Sequence, residues 1–275
     1  MYYESNKRDK NDKCNICGKQ ADLTWDHIPP KFNRNNGRTS YSIPFSLTGV
    51  GNKTRDYYIS QNGIKFRSIC SFCNNTLLGS IYDITYKEYI DAIESIIFSG
   101  NILPRYLTIK VEINRLCRAI VGHLLAAKNF YDDCEIDKEL RKYFLDQTML
   151  PPQNYRLQQL FYPFADIFLI RDAALVCDEG KRNLFPDGAV SCLSSPPLSL
   201  ILSQGEAITG LLDLFSLCTI NIGDICMINF DVLSCFYNNT FIPRSPNWPC
   251  VIDMEYGVYG IIGGTSMMDS IHAHI

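Results

Sequence analysis

Two pairs of cysteines, Cys14-Asn-Ile-Cys17 and Cys70-Ser-Phe-Cys73, share one spacing and lie 52 residues apart. A Cys-x-x-Cys turn offers two sulfurs to one ion, and four thiolates in tetrahedral arrangement form a closed environment that zinc favours. Cys14, Cys17, Cys70 and Cys73 therefore predict a structural zinc that clamps the ends of the intervening segment and keeps no position open for chemistry. Between the pairs stands Trp25-Asp26-His27-Ile28-Pro29-Pro30-Lys31, holding the only histidine of the first 122 residues. An Asp followed directly by His at a strand end can direct a carboxylate to a metal and an imidazole to a water, because successive strand side chains face opposite sides. Imidazole, with an unperturbed pKa of about 6.5, can take that proton near neutral pH.

The order Cys-x-x-Cys, Asp-His, Cys-x-x-Cys-Asn resembles the HNH (ββα-metal) endonuclease superfamily, in its branch with a four-cysteine zinc and a final Asn, of the endonuclease VII type. The continuation Cys73-Asn74-Asn75-Thr-Leu-Leu-Gly79-Ser-Ile-Tyr-Asp83 is also similar to the tail of bacterial HNH proteins. The likeness spans residues 14 to 83. It implies His27 as the general base and Asp26 and Asn74 as ligands of one divalent ion, Mg²⁺ or Mn²⁺, at a scissile phosphate. The residue that orients the base is assigned to Asn62, with Asn52 and Asn75 also eligible. Arg67 or Lys65 would hold a flanking phosphate, or lie on a solvated strand face. By the same likeness the substrate is DNA, with RNA as the alternative, and the setting a cytoplasmic restriction or anti-phage defence system. A regulatory protein such as an ATPase subunit, or a second copy of the chain, would be the partner. The competing reading is a zinc-ribbon nucleic-acid-binding protein in which Asp26 and His27 are structural.

The elements that would hold these residues follow from pattern. Residues 1–13 are polar and charged and read as a mobile basic arm. Ala21 to Ile28 is a short strand stopped by Pro29-Pro30, and Gly63 to Ile69 is a second strand running into the second cysteine pair. The segment 31–62, rich in Asn, Gly, Ser and Thr, reads as a long loop that either carries function or is mobile. Tyr86, Ile90, Ile93 and Ile97 then recur at helical spacing, as do Ile113, Leu116, Ile120 and Leu124, and Ile136, Leu140 and Phe144. Beyond Pro152 the branched and aromatic runs FADIFLI, LSLILS, LCTINIGDICMINF and YGVYGIIGG read as strands. The expected fold is α+β: an HNH module over 14–99, then a helical and β-rich domain over 100–275 that selects substrate or binds a partner.

Charge follows the same division. Residues 1–75 carry 12 Lys and Arg against 6 Asp and Glu, the remaining 200 carry 14 against 23, and together they return the net charge of -3. A local positive field is enough for phosphate, since salt screens exposed charges beyond about 8–10 Å. No apolar run approaches the roughly 18 residues that span a bilayer, and the N-terminus lacks the apolar stretch of a secretory signal. With no sign of export, the 12 cysteines do not read as a disulfide scaffold. Cys117, Cys134, Cys177, Cys192, Cys218, Cys226, Cys235 and Cys250 stand singly among apolar neighbours and read as core residues. His123, in an apolar helical stripe, reads as a hydrogen-bonded core histidine, and Asp132 and Asp133 as caps of the following helix. His272 and His274 make a poor metal site, and Gly257 to Gly264 lacks the spacing of a nucleotide loop.

Overall fold

The computed structural model describes residues 8–37, 39–42, 57–162, 167–175, 189–208, 210–232, 252–253 and 260–263. It is a mixed helix-and-strand protein, and among the described residues no helix is long and apolar enough to cross a membrane. Strands β1 (Asn11–Lys13), β2 (Gln20–His27) and β5 (Lys65–Cys70) form one antiparallel sheet in that order. Part of the expected arm is thus held in place: Asn11–Lys13 pair with Gln20–Asp22. Arg8, largely buried, donates to Asn15 Oδ1 and to Asp12 Oδ2. Asp9, Lys10 and Lys13 are exposed while the backbone completes the ladder, a use of polar sequence that hydrophobic periodicity does not register.

The β2–β5 ladder carries a bulge. Leu23 pairs with Cys70 and Thr24 with Ile69, but Trp25 pairs with Arg67, so Ser68 is the extra residue on β5. A bulge breaks pairing locally and re-aims side chains. The freed Ser68 carbonyl accepts from Asn15 N at 2.9 Å, and its hydroxyl donates to Ala126 O at 2.6 Å.

Beyond β5 the chain turns into a π-helical segment, Phe72–Tyr82, a wide winding that is rare and often found at functional sites. It continues as α1 (Asp83–Ile97), with Tyr86, Tyr89, Ile90, Ile93 and Ile97 buried as the helical period requires. The chain between the predicted helices holds a strand, β6 (Tyr106–Glu112), which pairs with β12 (Ile225–Asp231). α2 (Ile113–Ala126) and α3 (Glu135–Leu145) follow. The apolar face of α2 rests on β5 and on the π-helical segment, while Tyr89 of α1 donates to Gln159 of β7 (Tyr155–Phe161) at 2.9 Å. One continuous hydrophobic core runs from Cys14 to Val232.

Among the described residues the larger sheet has nine strands, including β7, β8 (Ile167–Leu175), β9 (Ala189–Ser195), β10 (Leu198–Gln204) and β14 (Gly260–Gly263). The loop expected over 31–62 is not wholly irregular: β3 (Thr39–Ser42) and β4 (Tyr57–Ser60) pair with each other and extend this sheet beyond β14. The three tyrosines Tyr41, Tyr57 and Tyr58 in those strands have the β preference that the Asn- and Gly-rich remainder lacks.

A buried ionic network ties the helices to this sheet. Lys128 Nζ lies 2.8 Å from Asp137 Oδ2 and 3.0 Å from Asp132 Oδ2, and it also contacts Asp172. Arg171 donates to Asp137 Oδ1 at 2.7 Å. Burial opposes ionisation of Asp172, but Arg171 and Lys128 more than offset it and hold its carboxyl below the ordinary range. Lys128 is likewise penalised by burial, yet its carboxylate partners raise it above the ordinary ammonium value. Asp172 has φ +51°, a conformation Asn also tolerates, so Asp172→Asn keeps the backbone fit while it removes the charge and replaces one acceptor oxygen by an amide donor. The variant is expected to lose about 3 kcal/mol at pH 7, the lower end for breaking a buried ion pair. A depressed carboxyl stabilises above its unfolded pKa of about 3.9 and stops doing so as pH falls through the folded value. Denaturant unfolding should therefore show the gap to wild type closing below about pH 4. A gap unchanged in acid would rule this out.

Candidate functional site

The two Cys-x-x-Cys turns meet. The sulfurs of Cys14, Cys17, Cys70 and Cys73 all lie within 4.8 Å of one another, with Cys17 Sγ to Cys70 Sγ at 3.9 Å. Four sulfurs about 2.3 Å from a central zinc would be about 3.8 Å apart, so the observed crowding suits a tetrahedral ion. The first knuckle is the β1–β2 turn, closed by Gly18 N donating to Cys14 O at 2.8 Å with Gly18 at φ +70°, where a side chain would be strained. The second joins the end of β5 to the π-helical segment, and Cys70 N donates to Cys14 Sγ at 3.3 Å. The hydrogen bond from Cys73 pulls the Cys14 thiol down, whereas burial and the neighbouring sulfur raise Cys17 to about 11. The four residues can hold a metal ion. Asp132, Cys134, Asp137 and Asp172 also cluster within 4.8 Å, but there the cation among the carboxylates is the chain's own Lys128.

β2 runs out of the clamped knuckle and ends in Asp26 and His27. Thr24 and Asp26 bond to the helical elements through Asn74 and His123, whereas Trp25 lies against Arg67 and His27 pairs with Lys65 on β5. Asn74, in the first turn of the π-helical segment, donates through Nδ2 to Thr24 Oγ1 at 3.0 Å and to Trp25 O at 3.2 Å. Its amide nitrogen is thereby spent on β2, and Oδ1 is the atom left to offer a cation. His27 Nε2 lies 3.1 Å from the backbone carbonyl of Asn62. A carbonyl only accepts, so in the neutral ring Nε2 carries the proton and Nδ1 keeps the lone pair. Burial, then the charge of Lys31, lowers the His27 pKa below the ordinary imidazole value, which favours the neutral ring. Of the other two eligible residues, Asn75 instead donates to Ser71 Oγ, and Asn52 lies outside the described residues.

The carbonyl of Asn62 is aimed by its neighbours. Gly63 sits at φ +65°, and a Cβ there would approach Asn35 O and Oδ1 to 2.3 Å. Asn35, 1% exposed, donates to Pro29 O at 2.7 Å and Ile64 O at 2.9 Å, and accepts from Ile64 N at 2.7 Å. It ties the chain just after His27 to the chain just after Asn62. Nothing in the sequence distinguishes Asn35 from Asn33 and Asn36 around it.

His123 is buried and hydrogen-bonded at both ring nitrogens, as a core histidine should be. Its partners, however, are Asp26 Oδ2 at 3.2 Å and Asp83 Oδ1 at 2.9 Å. Burial works against its protonation, but the two carboxylates prevail and raise its pKa to about 10. The imidazolium of α2 thus bridges β2 to the first residue of α1, and it occupies one oxygen of Asp26. Asp83 closes the Cys-Asn-Asn tail in the sequence, whereas the link to His123 is purely tertiary. Among the singly placed cysteines, Cys117 and Cys192 are buried and Cys134, Cys218 and Cys226 partly so, whereas Cys177, Cys235 and Cys250 lie outside the described residues. Asp132 Oδ1 accepts from Cys134 N at 3.0 Å just ahead of α3.

Comparisons with protein-family models, with curated proteins and with solved structures give no match to this chain.

Proposed function

We propose that this chain is a metal-dependent endonuclease of the HNH type, hydrolysing phosphodiester bonds of DNA. The observation that carries the reading is the strand end where His27, its Nε2 bound to the Asn62 carbonyl, follows Asp26 and lies on a strand gripped by Asn74. His27 Nδ1 takes a proton from the attacking water, and the Asn62 carbonyl fixes the ring and favours the imidazolium that results. Asp26 Oδ1 and Asn74 Oδ1 are the oxygens that would hold Mg²⁺ or Mn²⁺, a hard cation suited to oxygen donors. When bound there, the cation neutralises charge developing on the phosphate. The four cysteines hold zinc as architecture, keeping β2 and the π-helical segment in register. Residues 100–275 contribute His123 and all of the large sheet except β3 and β4, and they serve substrate choice or a partner.

A second reading is favoured by one observation. Asp26 is 8% exposed and committed to His123, as a purely structural carboxylate would be. Under it the chain is a non-catalytic zinc-bearing nucleic-acid-binding protein. Purified full-length chain, its zinc content assayed, is incubated with Mg²⁺ or Mn²⁺ and supercoiled DNA, branched DNA or total RNA. Cation-dependent strand scission of DNA is expected. Absence of scission on every substrate with both cations, in protein that retains zinc, would select the binding reading, and scission of RNA alone would reassign the substrate.

A further inference from the structure

Trp25 is 40% exposed, and strand alternation places it on the face of β2 shared with His27. Its ladder partner is Arg67, whose guanidinium carbon lies 4.7 Å from the ring centroid, and Lys65 Nζ lies 5.9 Å away on the diagonal. Lys65 in turn is the ladder partner of His27, and Lys31 is near enough to depress the His27 pKa. The indole therefore lies across cations from β5 and still presents a large surface to water.

These charges differ from others on the chain. Arg8, Arg34, Arg105 and Arg156 each pair with a carboxylate. Among the described residues no carboxylate lies within 4.0 Å of a nitrogen of Lys31, Lys65 or Arg67, so none of these neutralises the positive charge beside the indole. An exposed aromatic that remains in water beside unneutralised cations has a matching ligand chemistry: a π-surface to stack on, flanked by phosphates. A base inside a duplex has both faces covered by its neighbours, whereas an unpaired base has a free face.

We infer that Trp25 is a stacking platform for an unpaired nucleotide beside the phosphate presented to His27, with Lys65 and Arg67 holding the adjoining phosphates, so that the chain binds single-stranded nucleic acid in preference to continuous duplex. The inference deepens the nuclease reading for its placement beside His27, but its test measures binding alone.

Fluorescence anisotropy of labelled oligothymidylate, oligouridylate and blunt duplex of equal length is measured without divalent cation, using zinc-loaded full-length chain. Wild type is expected to bind a single strand about 10-fold more tightly than duplex. Trp25→Ala should weaken single-strand binding by about 5- to 100-fold, the range that base–aromatic stacking supplies, and leave duplex binding within about 2-fold. Trp25→Phe, which keeps a π-face and guards against misfolding, should retain most of the preference at an unchanged melting temperature. Arg67→Ala should flatten the salt dependence on all probes alike. The thymidylate and uridylate arms tell a DNA from an RNA source. Equal binding of single strand and duplex by wild type, or a Trp25→Ala loss equal on both, would overturn the platform. A protein that shows the expected binding pattern but no cleavage would leave the platform standing and remove the nuclease.

Discussion

Cys14→Ser should leave the chain without zinc and lower its melting temperature by on the order of 10 °C. The site holds together segments 52 residues apart, and its ion would fix the turn before β2, the end of β5 and the start of the π-helical segment at once. Structural zinc supplies an apparent about 10–16 kcal/mol in small zinc modules, comparable to the whole stability of an ordinary domain. In a protein with a large core beyond the site only part of that is lost, and about 3–5 kcal/mol corresponds to roughly 5–10 °C for a chain of this size. Cys117→Ser, at a buried thiol outside the cluster, is the control for cysteine chemistry as such and should keep its zinc. Metal analysis and calorimetry together decide the matter. Wild type without zinc but with an unchanged melting temperature would remove the ion from the account.

His27→Ala is expected to reduce phosphodiester cleavage by about 10²- to 10⁴-fold, the range a positioned general base contributes, with zinc content and DNA affinity unchanged. The geometry adds a sharper contrast. The group that orients His27 is the main-chain carbonyl of Asn62, so Asn62→Ala keeps that carbonyl and should stay within a few-fold of wild type. Gly63→Ala should be the more damaging, because its Cβ would run into the backbone and side chain of Asn35 and its φ of +65° disfavours any Cβ. Single-turnover cleavage of a plasmid by the three variants tests the order Asn62→Ala above Gly63→Ala above His27→Ala. Wild-type activity in His27→Ala would end the assignment.

Much of this site was legible because it is local in sequence. The cysteine spacing, the Asp-His pair and the Asn after the last cysteine all depend on residues at fixed short offsets, and the structure brings Asn74 onto the strand that bears Asp26. The three helices were legible for the same reason, since each carries its apolar face at helical period. β6 carries an equally local signal, since Leu107, Ile109 and Val111 alternate with exposed residues, but the run is short and leads directly into the helical period of α2. The bridge from His123 to Asp26 and Asp83 was not legible, because it spans 97 and 40 residues and a histidine in an apolar helical stripe looks the same whether it faces leucine or aspartate. Asn35 and the Ser68 bulge are hidden for a related reason. Each works by serving backbone atoms, and backbone demand leaves no mark on side-chain pattern.

The His123 bridge also bears on how such a protein can be taken apart and recombined. A fragment ending at residue 99 would contain every motif visible in the sequence, yet it would strip Asp26 of its buried cation and Ser68 and Asn15 of the carbonyls of Ala126, Leu125 and Lys128. The smallest piece that could be grafted onto another protein with its strand end intact therefore extends through α2 and Lys128, and a chimera joined inside that helix would inherit the chemistry's signature without its support.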